Sequence, residues 1–257
     1  MVRTLLVRGL LLGLLAGLVA GGFAYVFGEP HVEAAIALEE AAAKGAPSDG
    51  TASDGPAGPA PEEAAPHGHD EEAIVSRPGQ KAGLFLATGL YGLAVGGVFA
   101  LVYAGLHGRV GPRDGGALAL VAAGMAFVAV ILLPFLKYPA NPPAVGDPET
   151  ITGRTVLYLV MILVGLAATA IAVATARRVT AGPWQRYGAA VAAFLVPAIA
   201  ALALLPTVNE VPDGFPAALL WDFRIASLGT QFVFWAVFGV LFGWAAARRP
   251  AVIPQHT

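Results

Sequence analysis

The chain has 257 residues, of which 57% are hydrophobic and only 12% charged, and a mean hydropathy of +0.71. A soluble globular domain carries about twice that charged fraction, and here the apolar residues are gathered into long runs. There is no cysteine, which excludes disulfides, thiolate metal sites, iron–sulfur clusters and thiol catalysis.

About 20 apolar residues cross the hydrocarbon of a bilayer, and six runs meet that length. The first covers residues 5–27. Arg3 and Arg8 flank its start, and Leu18-Val19-Ala20 resembles a weak signal-peptide cleavage site. The apolar stretch continues past Ala20 to Phe27, longer than a signal-peptide core, so a retained span is expected. Gly9, Gly13 and Gly17 recur every four residues, as do Gly92 and Gly96 in the second run. Small residues at that spacing allow close helix contact, although Gly and Ala abound throughout the chain.

The longest loop follows. Glu29, Pro30, His31 and Glu33 open a helical stretch that ends at Lys44, with acids first and the base last, as the helix dipole favours. Residues 45–66 are rich in Gly, Pro, Ala, Ser and Asp and cannot bury enough apolar surface to fold. Next come His67, His69, Asp70, Glu71 and Glu72. Such nitrogen and oxygen ligands suit borderline divalent ions such as cobalt, nickel, zinc or copper. The same residues also read as a solvated acidic linker. Glu29, His31 and Glu33 form a second candidate metal group; at helical spacing the two acids share a face and His31 points elsewhere. A capped helix at the interface is the competing reading.

The second run is 82–106 and the third 115–136, with Pro134 near its end. Between the third and the fourth (155–176) lies KYPANPPAVGDPETI, residues 137–151. Its prolines force a stiff, extended course, and Asn141, Asp147 and Glu149 offer oxygen ligands. The fifth run is 187–205, with Pro197 inside, and the sixth is 225–247. The segment joining them carries Asn209, Glu210, Asp213, Asp222 and Arg224, with Phe215, Trp221 and Phe223 suited to an interfacial belt. Both loops exceed the roughly 2–8 residues that such connections need. Glu210 and Asp213 are therefore expected as metal ligands in a cation-receiving vestibule. Inside the runs there is no Asp, Glu, His or Lys away from the ends, although such residues usually mark ion pathways. Ser227, Thr230 and Gln231, with Asn209 and Asn141 above them, are the candidate pathway residues; hydrogen bonding between helices explains the first three equally well.

The Lys/Arg bias sets orientation. With the N-terminus cytoplasmic, the inner segments hold Arg3, Arg8, Arg109, Arg113, Arg177, Arg178, Arg186, Arg248 and Arg249 against the single acid Asp114. The outer segments hold Lys44, Arg77, Lys81, Lys137, Arg154 and Arg224 against every other acid. The expected fold is thus all-α: a polytopic transmembrane helix bundle of about six spans with both termini cytoplasmic, in the plasma membrane. Residues 1–28 form the first span, 29–81 an acidic, His-bearing extracytoplasmic loop, partly disordered, 82–249 a five-helix bundle, and 250–257 a tail. No P-loop, HExxH or GxSxG motif occurs, so neither an enzyme nor a tightly bound cofactor is expected, and nothing points to nucleic acid. The lipid bilayer is the evident partner, and the reading leaves a homo-oligomer open.

Four features together resemble the CbtA family of cobalt transporter subunits: the Arg-flanked first span with the stretch at 29–40, the His/acid-rich loop, KYPANPPAVGDPETI at 137–151, and LPTVNEVPDGFPAALLWDFRIASLGTQ at 205–231. The resemblance implies uptake of Co²⁺, with nickel as a second ion, linked to cobalamin synthesis. It also implies a small, single-span, His-rich partner, CbtB. Family members are commonly assigned about five spans, one fewer than counted here. The alternative reading is a membrane-anchored metal receptor or scaffold that does not itself conduct the ion.

Overall fold

A computed structural model describes residues 2–45 and 77–247, and all regular elements among them are helical. In chain order they are α1 (Val2–Phe23), a π-helical turn (Ala24–Gly28), α2 (Glu29–Gly45), α3 (Arg77–Leu106), α4 (Gly115–Ala126), a second π-helical turn (Phe127–Leu132), α5 (Leu133–Lys137), a 3₁₀ turn (Pro148–Thr150), α6 (Ile151–Arg178), α7 (Pro183–Leu204) and α8 (Ala217–Ala247). These make six helices long and apolar enough to cross a membrane. The class and the count are those expected from run length. The second, fourth and fifth spanning helices begin at Arg77, Ile151 and Pro183, ahead of the runs at 82, 155 and 187, and the boundaries differ further at two places. The first span continues through its π turn into α2, so the head of the long loop is an extension of that helix. The last helix begins at Ala217, well ahead of residue 225, so Trp221 and Arg224 belong to it.

Each π turn stands just before a proline. Pro30 and Pro134 have no N–H, and their rings press on the carbonyls four residues back, those of Val26 and Val130. The widened turns at Ala24–Gly28 and Phe127–Leu132 absorb that conflict. Pro197 is carried inside α7 without one.

Apolar side chains provide little drive for helix association in lipid, so close packing must do so. α3 lies along α1, α1 on α8, and α8 on α4; the second π turn then meets α6, and α6 meets α7. The closest seam is α1 with α3. A Cβ on Gly13 would sit 2.1 Å from the Gly92 carbonyl oxygen, one on Gly92 2.1 Å from that of Gly13, and one on Gly9 2.3 Å from that of Gly96. Backbone lies on backbone there, and only glycine fits. Gly165 in α6 meets the Ala129 carbonyl in the same way, at 2.1 Å. α3 and α8 meet instead through rings: Phe99 lies 5.0 Å from Phe238 and 5.2 Å from Phe242, and Tyr103 lies 5.1 Å from Phe242. These edge-to-face pairs form the buried core.

Six crossings place both described ends on one side, here the terminal face, and the 138–147 and 205–216 loops on the other, the loop face. On the terminal face Arg8 donates to the Ala245 carbonyl (2.9 Å), tying α1 to α8, and Asp114 caps α4 by accepting from the Ala117 N–H (2.7 Å). The Tyr103 hydroxyl donates to the Gly115 carbonyl (2.9 Å) and lies 3.2 Å from His107 Nδ1.

Candidate functional site

The two loop-face connections fold onto each other because one carboxylate satisfies groups from both. Asp147 caps the 3₁₀ turn that leads into α6: its side chain accepts from the Glu149 N–H, and Pro148 follows at the first helical position. This exposes the Asp147 N–H, which donates to Glu210 Oε2 at 3.2 Å. Thr150 Oγ1 donates to Glu210 Oε1, and Arg154 Nη1 stands 2.9 Å from Glu210 Oε2. Gly146, at φ +131°, packs so closely that a Cβ would lie 2.9 Å from Arg154 Nη1. Glu210 is 11% exposed and Arg154 28%. Charge-assisted bonds in so enclosed a setting are stronger than surface pairs.

A second tie runs from α8. Arg224 donates from Nη2 to Asn141 Oδ1 (2.9 Å) and from Nε to the Ala140 carbonyl (3.3 Å). Two donors at the end of α5 reach across to the end of α7 and the loop after it: Lys137 Nζ to the Leu202 carbonyl (2.8 Å) and the Tyr138 hydroxyl to the Pro206 carbonyl (2.8 Å). Burial raises the Tyr138 hydroxyl above the ordinary tyrosine range.

Beneath these loops lies a cleft of about 620 Å³, within the usual range for small-molecule sites. One wall is an α6 stripe of Ile151, Arg154, Thr155, Tyr158 and Leu159. The facing wall is an α8 stripe of Arg224, Ser227, Leu228 and Gln231. Ile131, Phe135, Tyr138 and Asn141 supply the third side, and Val208 to Val211, including Asn209 and Glu210, supply the rim. Both helical stripes follow the i, i+3, i+4, i+7 rule for one face. From Arg224 to Gln231 the cleft descends about 10 Å along the helix axis. At its foot the Tyr91 hydroxyl from α3 donates to Gln231 Oε1 at 3.3 Å, and Phe234 lies 5.4 Å from the Tyr91 ring. The aromatic core closes the bundle below.

Four of the five candidate pathway residues, Asn141, Asn209, Ser227 and Gln231, line this one cleft. Thr230 does not; its hydroxyl bonds back to the Ala226 carbonyl (2.9 Å). Glu210 lies at the rim and is engaged as described, while Asp213 sits exposed on the 213–214 turn. Glu29 and Glu33 do share a face, and they hold the start of α3: Arg77 pairs with Glu29 (2.9 Å) and Glu33 (3.5 Å), and Lys81 with Glu33 (2.6 Å). No group of three His, Asp or Glu side chains able to hold a metal ion occurs among the described residues. His67, His69, Asp70, Glu71 and Glu72 lie outside the described residues. Arg154, Thr155 and Tyr158 were not anticipated as site residues, although the spacing of the α6 stripe carries the signal.

The architecture defines a polytopic, all-helical membrane protein with a ligand-sized cleft, largely apolar but carrying a few convergent polar groups, under the loops of one face. A family model described as a probable cobalt transporter subunit (CbtA) matches residues 2–247, and the chain belongs to that family. No curated protein and no solved structure matches it.

Proposed function

We propose that this chain is the membrane subunit of a cobalt uptake system that supplies cobalamin biosynthesis, with nickel as a second ion. It lies in the plasma membrane with both termini cytoplasmic and works beside a small, single-span, His-rich subunit. The observation that carries this reading is the cleft, where Asn141, Asn209, Ser227 and Gln231 converge from three separate segments. With the loop face outside, the acids and histidines of residues 67–72, together with His31 and Asp213, gather the cation at the surface, Glu29 and Glu33 being paired with Arg77 and Lys81. A negative-inside potential favours its entry by about 2.3 kcal/mol per charge per 100 mV.

Radiolabelled cobalt uptake into proteoliposomes bearing this chain, alone and then with the small subunit, tests the reading; no uptake in either preparation refutes it. Replacing both His67 and His69 with alanine should raise the half-saturating cobalt concentration while leaving the maximal rate unchanged. An unchanged half-saturation point would make that segment a linker.

The aromatic core beneath Gln231 favours a second reading, in which the chain is a metal receptor or scaffold and the ion crosses elsewhere. Uptake by the small subunit alone, sharpened but not created by this chain, is the result expected on that reading.

A further inference from the structure

The charges on the cleft wall do not match those of a bare cation site. Three ionisable side chains of fixed charge line it, Arg154, Arg224 and Glu210, and two of the three are guanidiniums. Glu210 is committed to Arg154, Thr150 and the Asp147 N–H. Among the described residues no carboxylate lies within ion-pair distance of Arg224, which spends two donors on a carbonyl and an amide oxygen. The buried Nε of Arg154 has no partner. A partly buried arginine that lines a cleft with no counter-charge is costly unless something anionic meets it. A hydrated divalent cation entering here would meet a net positive wall.

We infer that the cleft receives a small polycarboxylate held by Arg224 and Arg154. Resting on the uptake reading above, the metal enters it as the complex of that acid and not as the free aquo ion. Guanidinium groups pair bidentately with carboxylates. The volume far exceeds what an inorganic phosphate fills. Tyr158 and Leu228 give the carbon skeleton of an organic acid an apolar surface, and Ser227 and Gln231 give it hydrogen-bond partners below. Acidic groups at the surface and guanidiniums beneath would then act in sequence, the first on the metal and the second on its ligand.

The test uses the full chain purified in detergent and titrated calorimetrically with citrate, with orthophosphate and with cobalt chloride, and then in nanodiscs with and without phosphatidylglycerol. Citrate is expected to bind, and Arg224→Gln to weaken it about tenfold or more, the usual worth of a charged hydrogen-bonded contact. Ser227→Leu, which fills the cleft without altering its charge, should weaken it likewise, while Asp222→Asn, on an exposed neighbour, should not. No citrate binding, or binding unchanged in both cleft variants, overturns the proposal. So does orthophosphate binding as tightly as citrate, or loss of citrate binding when phosphatidylglycerol is present, since the site would then belong to phosphate or to a lipid headgroup. In proteoliposomes, cobalt citrate should be taken up faster than cobalt chloride at equal free metal; the reverse overturns the chelate as cargo. Failure of all uptake strikes the transport reading alone, because the calorimetric result stands without it.

Discussion

Gly13→Leu is expected to abolish a stable α1–α3 pair. Even the first carbon added at this position falls 2.1 Å from the Gly92 carbonyl oxygen and 2.9 Å from the Gly96 Cα. These are backbone atoms of a facing helix and cannot rotate away. The two helices would have to separate along their length, losing the neighbouring contacts of Gly9 with Gly96 and Gly17 with Thr88. Overpacking a well-filled interior typically costs about 1–3 kcal/mol, and a backbone clash belongs at or above the top of that range. Lipid offers no compensating drive to bring the helices together again. Size-exclusion profiles and thermal unfolding in detergent measure the effect. Gly22→Ala is the matched control, because a Cβ there meets nothing within 4 Å. Coincident melting of Gly13→Leu and the parent protein would mean that the seam contributes little.

Glu210→Ala is the second large expectation. One carboxylate accepts from Arg154, the Asp147 N–H and Thr150, so its removal leaves a partly enclosed guanidinium and the Asp147 N–H without their acceptor, while Thr150 keeps the Asp147 carbonyl. A fully buried broken pair costs about 3–5 kcal/mol and an exposed one under about 1. With Arg154 28% exposed, about 2 kcal/mol is the expected loss. Glu210→Gln, which keeps an acceptor for Thr150, should lose less. Thermal unfolding ranks the three proteins, and protease cleavage within 138–147 should accelerate in the same order. The exchange Arg154→Glu with Glu210→Arg should recover part of the loss. An alanine variant as stable and as protease-resistant as the parent would show that the two loops hold each other by other means.

Much of this was legible in the residues. Run length and the placing of arginines specified six helices. Asp147, Pro148 and Glu149 read only as a stiff loop with oxygen ligands, although a capping carboxylate followed by proline is the signal of the first turn that the structure shows there. The Gly9/Gly13/Gly17 repeat announced a close seam but could not name its partner. In lipid a helix is apolar all round, so hydrophobic periodicity does not say which faces meet. The cleft was half visible for the same reason. Ser227 and Gln231 stood out as polar groups in an apolar run, whereas Arg154 and Arg224 read as markers of membrane side. Only the packing of the second π turn against α6 turns the two arginine-led stripes into opposing walls.

α7 extends from the bundle like an outrigger. Its companion is α6, its end is pinned by Lys137 and Tyr138, and Trp184, Val196 and Leu204 are among its most exposed side chains. Regions with few buried contacts open first, so α7, whose one buried residue is Ala198, is expected to loosen ahead of the other helices. Because its companion α6 supplies a wall of the cleft, amide exchange faster in α7 than in α1 and α3 would mark the side of the site that gives first.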